Sequence, residues 1–399
     1  MYKRTVNTEI PGPNSRHIFR NSAIHSFLCG KPDNETHADI VFKKGHGSFL
    51  MDVDSNCFVD CASTLNLPFG HEQLLIQECA VVNSSNYMTP QRLSLVSELK
   101  AIFPYLSGFQ FRSSGTESVE AALRYIHACF PNGVTLFSFE GCYHGLTLAA
   151  QQIMGKSKAN QVVILPFPSS DNASEFLQYL EQGLDSGPIA LAFESIQGNA
   201  VRSLPLNVFE LLWELKERHF NDVLLFCDDM LASIRCGNWS SLPEYIKPDL
   251  LVGGKSWSGG FPFSFFAINK LVRDRAGDIL GTTTYGGNPV ACHAAYTTIR
   301  RISSENIFEH IIECEKRINE NGITLWRESQ GVVSAECHGL LFGIQMETTI
   351  DAKKKGQALL AKGVLCSQID NVLRFSPALN IQSGLLGEVC DVISSILNN

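Results

Sequence analysis

The sequence lacks the features that mark membrane proteins, nucleic-acid-binding proteins and secreted proteins. Its 399 residues contain no uninterrupted apolar run near the ~18 residues that a transmembrane helix needs. It has no basic cluster, and a formal net charge of −8 disfavours a nucleic-acid-binding surface. The first residues contain no apolar stretch of the kind found in secretory signals. We therefore expect a cytoplasmic protein with no membrane or nucleic-acid partner.

Cysteine is plentiful, but its spacing fits neither a disulfide framework nor a zinc site. The 13 cysteines are odd in number, widely spread and include no Cys-x-x-Cys pair. This pattern favours reduced thiols. With 44% hydrophobic and 18% charged residues, the chain is a globular protein with a large core. It is long enough for two domains, or for one large α/β domain with an appendage.

The middle of the chain alternates apolar runs with segments of helical periodicity. Six runs predict strands, at residues 134–139, 161–166, 189–194, 223–227, 250–253 and 263–268. Segments such as residues 208–219 lie between them and carry apolar side chains at helical spacing. This alternation predicts an α/β fold with a mostly parallel central sheet and helices on both faces.

The two ends of the chain follow a different pattern. Near the N-terminus, short strand-like segments around the turn at residues 54–56 predict a β-hairpin. From about residue 291, helical periodicity leads into an α+β tail. We expect an N-terminal segment, 1–62, that contributes to a small domain. A large domain would span 63–290, and a smaller α+β domain 291–399.

Two adjoining strand ends carry the residues that most restrict the function. The strand at 250–253 leads through Gly254 to Lys255, and the strand at 223–227 leads to Asp228. Ligands of parallel sheets bind at the carboxyl ends of strands. A lysine beside an acid suits pyridoxal 5′-phosphate (PLP), because the lysine forms a Schiff base and the acid keeps the pyridine nitrogen protonated. Partial burial would lower the pKa of the lysine and free its amine as a nucleophile.

A loop of small residues precedes one predicted helix. Residues 113–117, Ser-Ser-Gly-Thr-Glu, come just before a helix predicted at 119–128. Free backbone N–H groups and the positive end of the helix dipole make such a position an anion site. An ordinary helix cap is the alternative. The pairing of Lys255 with Asp228 favours the anion site, since PLP carries a phosphate.

Several other residues have both a functional and a structural interpretation. In residues 140–145, Glu-Gly-Cys-Tyr-His-Gly, Tyr143 is either a ring-stacking residue or an ordinary loop aromatic. His144 is either catalytic or structural. Asp228 and Asp229 are also candidates for Mg²⁺. No phosphate-binding P-loop accompanies them, because Asp249 stands where that motif needs its first glycine. We therefore predict no metal site.

Two arginines and a threonine are weaker candidates. Arg374, in an Arg-Phe-Ser-Pro segment, suits a carboxylate through its forked guanidinium, with a surface salt bridge as the alternative. Arg16 has a weaker case of the same kind. Thr284 begins a Thr-Tyr-Gly-Gly-Asn-Pro segment, which is either a flexible turn or a hydroxyl-bearing loop that reaches a phosphate.

These segments occur in a familiar order. The chain resembles the class III aminotransferases of the ornithine and 4-aminobutyrate type and the related glutamate-1-semialdehyde aminomutases, from about residue 12 to residue 381. Seven segments carry the resemblance: Ser-Gly-Thr-Glu at 114–117, Tyr-His-Gly at 143–145, Glu-Ser-Ile-Gln-Gly-Asn at 194–199, Asp-Asp-Met at 228–230, Arg235, Lys255, and Thr-Tyr-Gly-Gly-Asn-Pro at 284–289. Any one of them is weak, but seven in order are specific.

The resemblance implies a PLP-dependent transferase of fold type I, a homodimer with shared active sites. Lys255 would form the Schiff base and move the proton between Cα and C4′, while Asp228 would keep the pyridine nitrogen charged. Tyr143 and Met230 would sandwich the ring. The phosphate would be held by a set of small residues: Ser114, Gly115, Thr116 and, from the neighbouring subunit, Thr284.

The resemblance also implies substrate roles. Arg374 would grip the α-carboxylate of an amino acid donor, expected to be glutamate. Glu194 would pair with Arg374 when the second substrate lacks that carboxylate. Arg16 is a further candidate for substrate binding. The amino group would pass to an aldehyde or ketone acceptor by ping-pong chemistry through pyridoxamine phosphate. The sequence does not name that acceptor.

Departures from the family pattern leave alternatives open. Ser195 replaces a proline and Met230 a valine, which leaves the cofactor site intact and the substrate pocket undetermined. An aminomutase is favoured by residues 12–16 and by the loop at 140–145, and is disfavoured by Arg374. A racemase or decarboxylase of the same fold is a further alternative. A degenerate binding or scaffold protein is disfavoured by the intact lysine and aspartate.

Overall fold

The computed structural model describes residues 2–21, 40–72, 87–157, 162–277, 279 and 283–398. The first residue of one predicted strand, Gln161, lies outside these ranges. The strands are β1 (Phe42–His46), β2 (Phe49–Asp52), β3 (Cys57–Cys61), β4 (Leu106–Arg112), β5 (Thr135–Phe139), β6 (Val162–Leu165), β7 (Ile189–Phe193), β8 (Ile196–Gln197), β9 (Arg202–Ser203), β10 (Val223–Asp228), β11 (Leu250–Gly254), β12 (Ser264–Asn269), β13 (Val332–His338), β14 (Leu341–Met346), β15 (Val364–Ile369) and β16 (Val372–Phe375).

The helices are α1 (Pro13–Asn21), α2 (Pro90–Ile102), α3 (Gly115–Cys129), α4 (Leu148–Gln152), α5 (Ala173–Asp185), α6 (Leu206–Arg218), α7 (Lys270–Ala276), α8 (Pro289–Ser304), α9 (Ile307–Ile318), α10 (Thr324–Arg327), α11 (Thr349–Ala361) and α12 (Ser383–Leu397). A π-helical turn connects α9 to α10. None of the helices within the described ranges has the length and apolar character needed to cross a membrane.

The middle of the chain forms a sheet with the strand order β4-β12-β11-β10-β7-β5-β6. From β6 to β11 the neighbouring strands run parallel, and β12 runs antiparallel to both β11 and β4. Each of the six predicted strands is present, with its ends shifted by at most one residue. The mostly parallel α/β fold is therefore confirmed.

Both faces of this sheet are covered, which explains why its strands are continuous apolar runs. Alternate residues of a strand face opposite sides of the sheet. Leu224 and Val252 therefore belong to the core shared with α3, whereas Leu225 and Leu251 belong to the larger core under α5 and α6. Strands buried on both faces need apolar side chains at nearly every position.

A second sheet joins the two ends of the chain, in the order β1-β2-β3-β15-β16-β14-β13. The N-terminal strands β1 to β3 form an antiparallel meander, which confirms the predicted hairpin and extends it by one strand. β3 then pairs in parallel with β15, placing Cys61 opposite Cys366. The N-terminal segment thus completes the sheet of the C-terminal part. The predicted domain limits at residues 62 and 290 stay predictions.

Candidate active site

Lys255 lies directly after β11, at the carboxyl end of the central sheet. Its φ angle is +47°, in the left-handed region that non-glycine residues seldom occupy and that recurs at functional sites. The preceding residue must be glycine, because a Cβ on Gly254 would lie 2.4 Å from Met230 Sδ. Burial lowers the pKa of Lys255 to about 8. The charge of Arg374 adds to this effect, and that of Asp228 opposes it.

Asp228 ends β10, the strand next to β11, and it is buried. One carboxylate oxygen lies 2.8 Å from His144 Nδ1, and the other accepts a hydrogen bond from the Met230 N–H at 3.2 Å. Burial alone would lower the pKa of His144, but hydrogen bonds to Asp228 and Cys142 raise it well above its usual value. His144 therefore orients the carboxylate, which supports a structural role for this histidine.

The predicted anion site forms the start of α3. Ser114 is the N-cap residue, yet its hydroxyl caps no backbone N–H of the helix. The hydroxyl donates instead to the Glu117 carboxylate, at 3.0 Å. Gly115 is required here, because an added Cβ would lie 2.9 Å from Met230 Cε. The first turn of α3 thus keeps backbone N–H groups that a phosphate can use.

These residues enclose one cavity of about 420 Å³. Its lining combines the predicted lysine, aspartate, tyrosine, methionine and start of α3 with further residues. The full set is Asn66, Ser113, Ser114, Gly115, Thr116, Tyr143, His144, Gly145, Leu146, Asp228, Met230, Lys255, Gly260, Phe261, Pro262 and Phe263. An amine, a carboxylate, an aromatic side chain and a helix N-terminus are the groups that PLP needs. The residues present therefore fit this cofactor.

Six of the lining residues were not predicted as site residues from the sequence: Asn66, Leu146, Gly260, Phe261, Pro262 and Phe263. Asn66 lies far from the other motifs in sequence. It comes near Lys255 because the residues adjacent to the two are joined by a hydrogen bond: Ser256 Oγ donates to the Leu65 carbonyl at 2.9 Å. The run at 261–263 follows two glycines soon after Lys255. Two consecutive glycines favour a turn, and this feature of the sequence could have indicated that residues 261–263 return to the site.

Arg374 and Glu194 are not among the residues that line this cavity within the described chain, and both form a hydrogen bond with Gly198. Arg374, on β16, is only 8% exposed, which disfavours the surface position considered above. Its guanidinium donates to the Gly198 carbonyl at 2.8 Å and lies 3.4 Å from Asn199 Oδ1. Glu194 accepts hydrogen bonds from the Tyr143 N–H at 2.8 Å and the Gly198 N–H at 3.0 Å. Burial raises the pKa of Glu194 to about 7.

Arg16 and Thr284 do not line the cavity within the described chain. Arg16 is partly exposed on α1, 3.7 Å from Glu9 Oε2. Thr284 is exposed in the turn before α8. Its expected role concerns the neighbouring subunit, so it stays a prediction.

Asp228 and the adjacent Asp229 face different partners, which disfavours a shared cation. Asp229 is buried and accepts hydrogen bonds from Ser240 and Ser241. Burial raises the pKa of Asp229 to about 6. Within the described ranges, no group of three or more His, Cys, Asp or Glu side chains is arranged to hold a metal ion.

Comparisons with known proteins agree with this geometry. Residues 31–397 match the family described as Aminotransferase class-III. The acetylornithine aminotransferase of Archaeoglobus fulgidus is 29% identical over 368 residues, covering 87% of this chain and 92% of that protein. The ornithine aminotransferase 1 of Staphylococcus saprophyticus is 23% identical over 393 residues, covering 91% of this chain and 96% of that protein.

Solved structures share the fold at lower sequence identity. A crystal structure of acetylornithine aminotransferase from Elizabethkingia anophelis has a TM-score of 0.79 at 20% identity, covering 96% of this chain and 98% of that one. A taurine:2-oxoglutarate aminotransferase from Bifidobacterium kashiwanohense, in complex with PLP and glutamate, has a TM-score of 0.83 at 19% identity, with coverages of 94% and 96%. The chain therefore belongs to the class-III aminotransferases, and it is an enzyme of this family with PLP as its cofactor.

Proposed function

We propose that this enzyme moves an amino group from an amino acid, with glutamate as the first donor to test, to an aldehyde or ketone acceptor. The observation that carries the proposal is the meeting of Lys255 and Asp228 at adjoining strand ends in one cavity. The charge of Arg374 is close enough to help lower the pKa of Lys255. Aminotransferase activity as such follows from the family. The donor, the acceptor and the residue roles are the proposed part.

The cofactor would be held at three points. Backbone N–H groups of Ser114, Gly115 and Thr116, together with the Thr116 hydroxyl, would bind its phosphate. Asp228, oriented by His144, would hold the pyridine nitrogen. When bound, PLP supplies an electron sink that stabilises negative charge on the substrate α-carbon. Tyr143 and Met230 would contact the two faces of the ring, since both side chains line the cavity.

Lys255 would move the proton. With its pKa lowered to about 8, a sizeable fraction of its Nζ is neutral near pH 7 to 8. A neutral amine can accept a proton from the substrate α-carbon and return it at another position, and this transfer is most efficient when the pKa lies near the working pH.

Arg374 would bind the donor carboxylate. It is buried, lies on a strand, and its charge is close enough to contribute to the lowered pKa of Lys255. A planar guanidinium matches a carboxylate with two parallel hydrogen bonds. The ornithine and acetylornithine aminotransferases among the relatives, and the glutamate in one related structure, support an amino acid donor.

An aminomutase is the second candidate, since the glutamate-1-semialdehyde 2,1-aminomutase of Francisella tularensis is 26% identical over 324 residues. That match covers 76% of this chain and 74% of that protein, less than the aminotransferase matches cover. Arg374 also favours the aminotransferase, because a buried guanidinium can bind the carboxylate of an amino acid donor.

We further propose a cytoplasmic homodimer whose partner loop completes the site. Apolar side chains near the cavity mouth and beside Thr284 support this assembly, because Leu146 is 72% exposed, Leu148 76% and Tyr285 60%. Exposed apolar side chains that form a contiguous patch often mark a surface that another protein covers. The free cysteines among the described residues support a reducing compartment.

The test is a visible absorption spectrum of the purified protein before and after excess glutamate. A yellow protein whose band fades on addition of glutamate would support PLP bound to the lysine and glutamate as the donor. A yellow protein that ignores glutamate would point to another donor or to a mutase. A protein that stays colourless after PLP is added would contradict the proposed role of Lys255.

A further inference from the structure

The Glu194 carboxylate joins two loops of the active site. Glu194 is the first residue after β7 and is buried. One oxygen accepts the Tyr143 N–H at 2.8 Å, and the other accepts the Gly198 N–H at 3.0 Å. Both oxygens are thus engaged by backbone N–H groups, one in the loop at 140–145 and one in the loop at 194–199.

This bridge links the two halves of the proposed site. Tyr143 belongs to the cofactor half, because its side chain lines the cavity beside Lys255. Gly198 belongs to the donor half, because its carbonyl accepts a hydrogen bond from Arg374 at 2.8 Å. The close approach depends on glycine, since a Cβ on Gly198 would lie 2.9 Å from Leu231 Cδ2 and 3.2 Å from Glu194 Oε1.

We propose that Glu194 is a positioning residue, which fixes the Tyr143 loop against the cofactor ring and joins it to the Arg374 side of the site. The proposal rests on the proposed function and replaces the counter-ion role that the resemblance implies for Glu194. Burial raises the pKa of Glu194, but the hydrogen bonds from the Tyr143 and Gly198 N–H groups oppose that rise and favour the ionised form. An ionised carboxylate makes stronger hydrogen bonds to amide N–H groups than a neutral acceptor does. Glu194 therefore holds the backbone of Tyr143 in place. The position of that backbone sets the direction in which the Tyr143 ring points.

The chemistry around Arg374 agrees with this assignment. The oxygens that its guanidinium contacts include a backbone carbonyl, Gly198 O, and a side-chain amide, Asn199 Oδ1. These are neutral acceptors, which compete less with a substrate carboxylate than an anion would. Glu194 is linked to this arrangement through the Gly198 peptide, because Glu194 accepts the Gly198 N–H and Arg374 donates to the Gly198 carbonyl. Its removal should therefore affect the ring side of the site first.

The experiment compares Glu194→Gln and Glu194→Ala with Asn199→Ala, a control that touches Arg374 and leaves the Tyr143 loop alone. Three properties of the holoenzyme are measured: backbone hydrogen exchange in residues 141–145, the visible circular dichroism of bound PLP, and the apparent Kd for PLP. Donor KM and kcat are determined separately. Thermal unfolding shows whether each variant is folded, and the near-isosteric Gln variant keeps the test valid if the Ala variant does not fold.

For Glu194→Ala we expect faster exchange at the Tyr143 amide, an altered circular dichroism signal and PLP affinity weakened about tenfold, the loss expected for one charge-assisted hydrogen bond. Glu194→Gln should show the same changes to a smaller degree, because its amide oxygen replaces only one acceptor. Asn199→Ala should change the donor KM and leave exchange at 141–145 as in the wild type.

The opposite pattern would overturn the proposal. If folded Glu194→Gln keeps wild-type exchange, circular dichroism and PLP affinity while its donor KM changes, Glu194 acts on Arg374 and not on Tyr143. A wild-type protein that binds no PLP would instead refute the residue roles under the proposed function. The two failures are therefore distinguishable.

Discussion

Two lysine–aspartate pairs lie at opposite ends of the neighbouring strands β10 and β11. At one end, Lys216 of α6 is 3.0 Å from Asp249, the residue just before β11. At the other end, Lys255 follows β11 and Asp228 closes β10. Lys255 comes six positions after Asp249, which corresponds to about 20 Å of extended chain. One lysine–aspartate pair thus lies at each end of these two strands.

The two pairs differ in what their atoms contact. Lys216 Nζ donates to the carbonyls of Phe220 and Val223, at 3.0 and 2.6 Å, in addition to Asp249. No residue within the described ranges accepts a hydrogen bond from Lys255 Nζ, and Asp228 contacts His144 instead. A lysine whose N–H groups are all engaged stabilises the fold. A lysine that faces a cavity without such partners is available for chemistry.

Lys255→Ala should have the largest effect. Removing the amine removes the proton carrier and the covalent attachment of PLP, so kcat should fall by about 10⁴-fold or more. PLP should still bind noncovalently, and the melting temperature should stay close to that of the wild type. Steady-state kinetics and a PLP titration check this outcome. Turnover within tenfold of the wild type would exclude Lys255 from the chemistry.

Lys216→Met should have the next largest effect, and on stability alone. It leaves the buried Asp249 carboxylate without its partner, which typically costs about 3 to 5 kcal/mol of unfolding free energy. Urea unfolding measures the loss, and kcat of the folded fraction should stay unchanged. Adding Asp249→Asn should restore part of the stability, because it removes the uncompensated charge. Wild-type stability in the single variant would show that this pair contributes little.

Asp228→Asn should affect chemistry more than folding. The amide keeps the shape of the side chain but removes the negative charge next to the pyridine nitrogen, so kcat should fall by about 10²-fold or more. The pKa of His144 should fall as well, because its hydrogen bond to Asp228 helps to raise it. Kinetics and the NMR titration of His144 test both expectations. An unchanged kcat would mean that the charge of Asp228 is not needed.

Sequence patterns predicted most of the central sheet, because strands buried on both faces are recognisable as apolar runs. β4 was missed, since Gly108 and Gln110 interrupt its apolar pattern. The antiparallel direction of β12 was also not predictable. A buried strand has the same composition whichever way it runs, and its direction depends on the loop that follows Lys255.

The site residues also fall into two groups, those that a local sequence pattern predicts and those that depend on tertiary packing. Lys255 and Asp228 were predictable because a strand end is a local feature of the sequence. The cavity contact of Asn66 depends on the packing of a distant segment, and the partners of Glu194 are backbone N–H groups. Backbone groups occur at every residue and carry no sequence signal. Hydrogen bonds of this kind become visible only once the loops are placed.

The smallest effect we predict is a shift in the pH dependence of cofactor attachment. An ordinary lysine has a pKa near 10.4, so its neutral amine is scarce at neutral pH. Burial lowers the pKa of Lys255 to about 8. The rate at which the apoenzyme attaches PLP should therefore rise with pH and reach half its maximum near pH 8, which stopped-flow absorbance can follow. A midpoint near 10 would show that the cavity does not favour the neutral amine.

The same shift predicts the sign of a stability change in the apoenzyme. Between about pH 8 and 10.5 the unfolded chain holds a proton on Lys255 that the folded chain has lost. Because the unfolded state binds more protons in this window, the contribution of Lys255 to stability should rise with pH there. Lys255→Met should lack this rise. As the pH increases through this window, the unfolding free energy of the wild type should therefore increase relative to that of the variant. A difference independent of pH would place Lys255 in the same class as Lys216, as a residue of the fold.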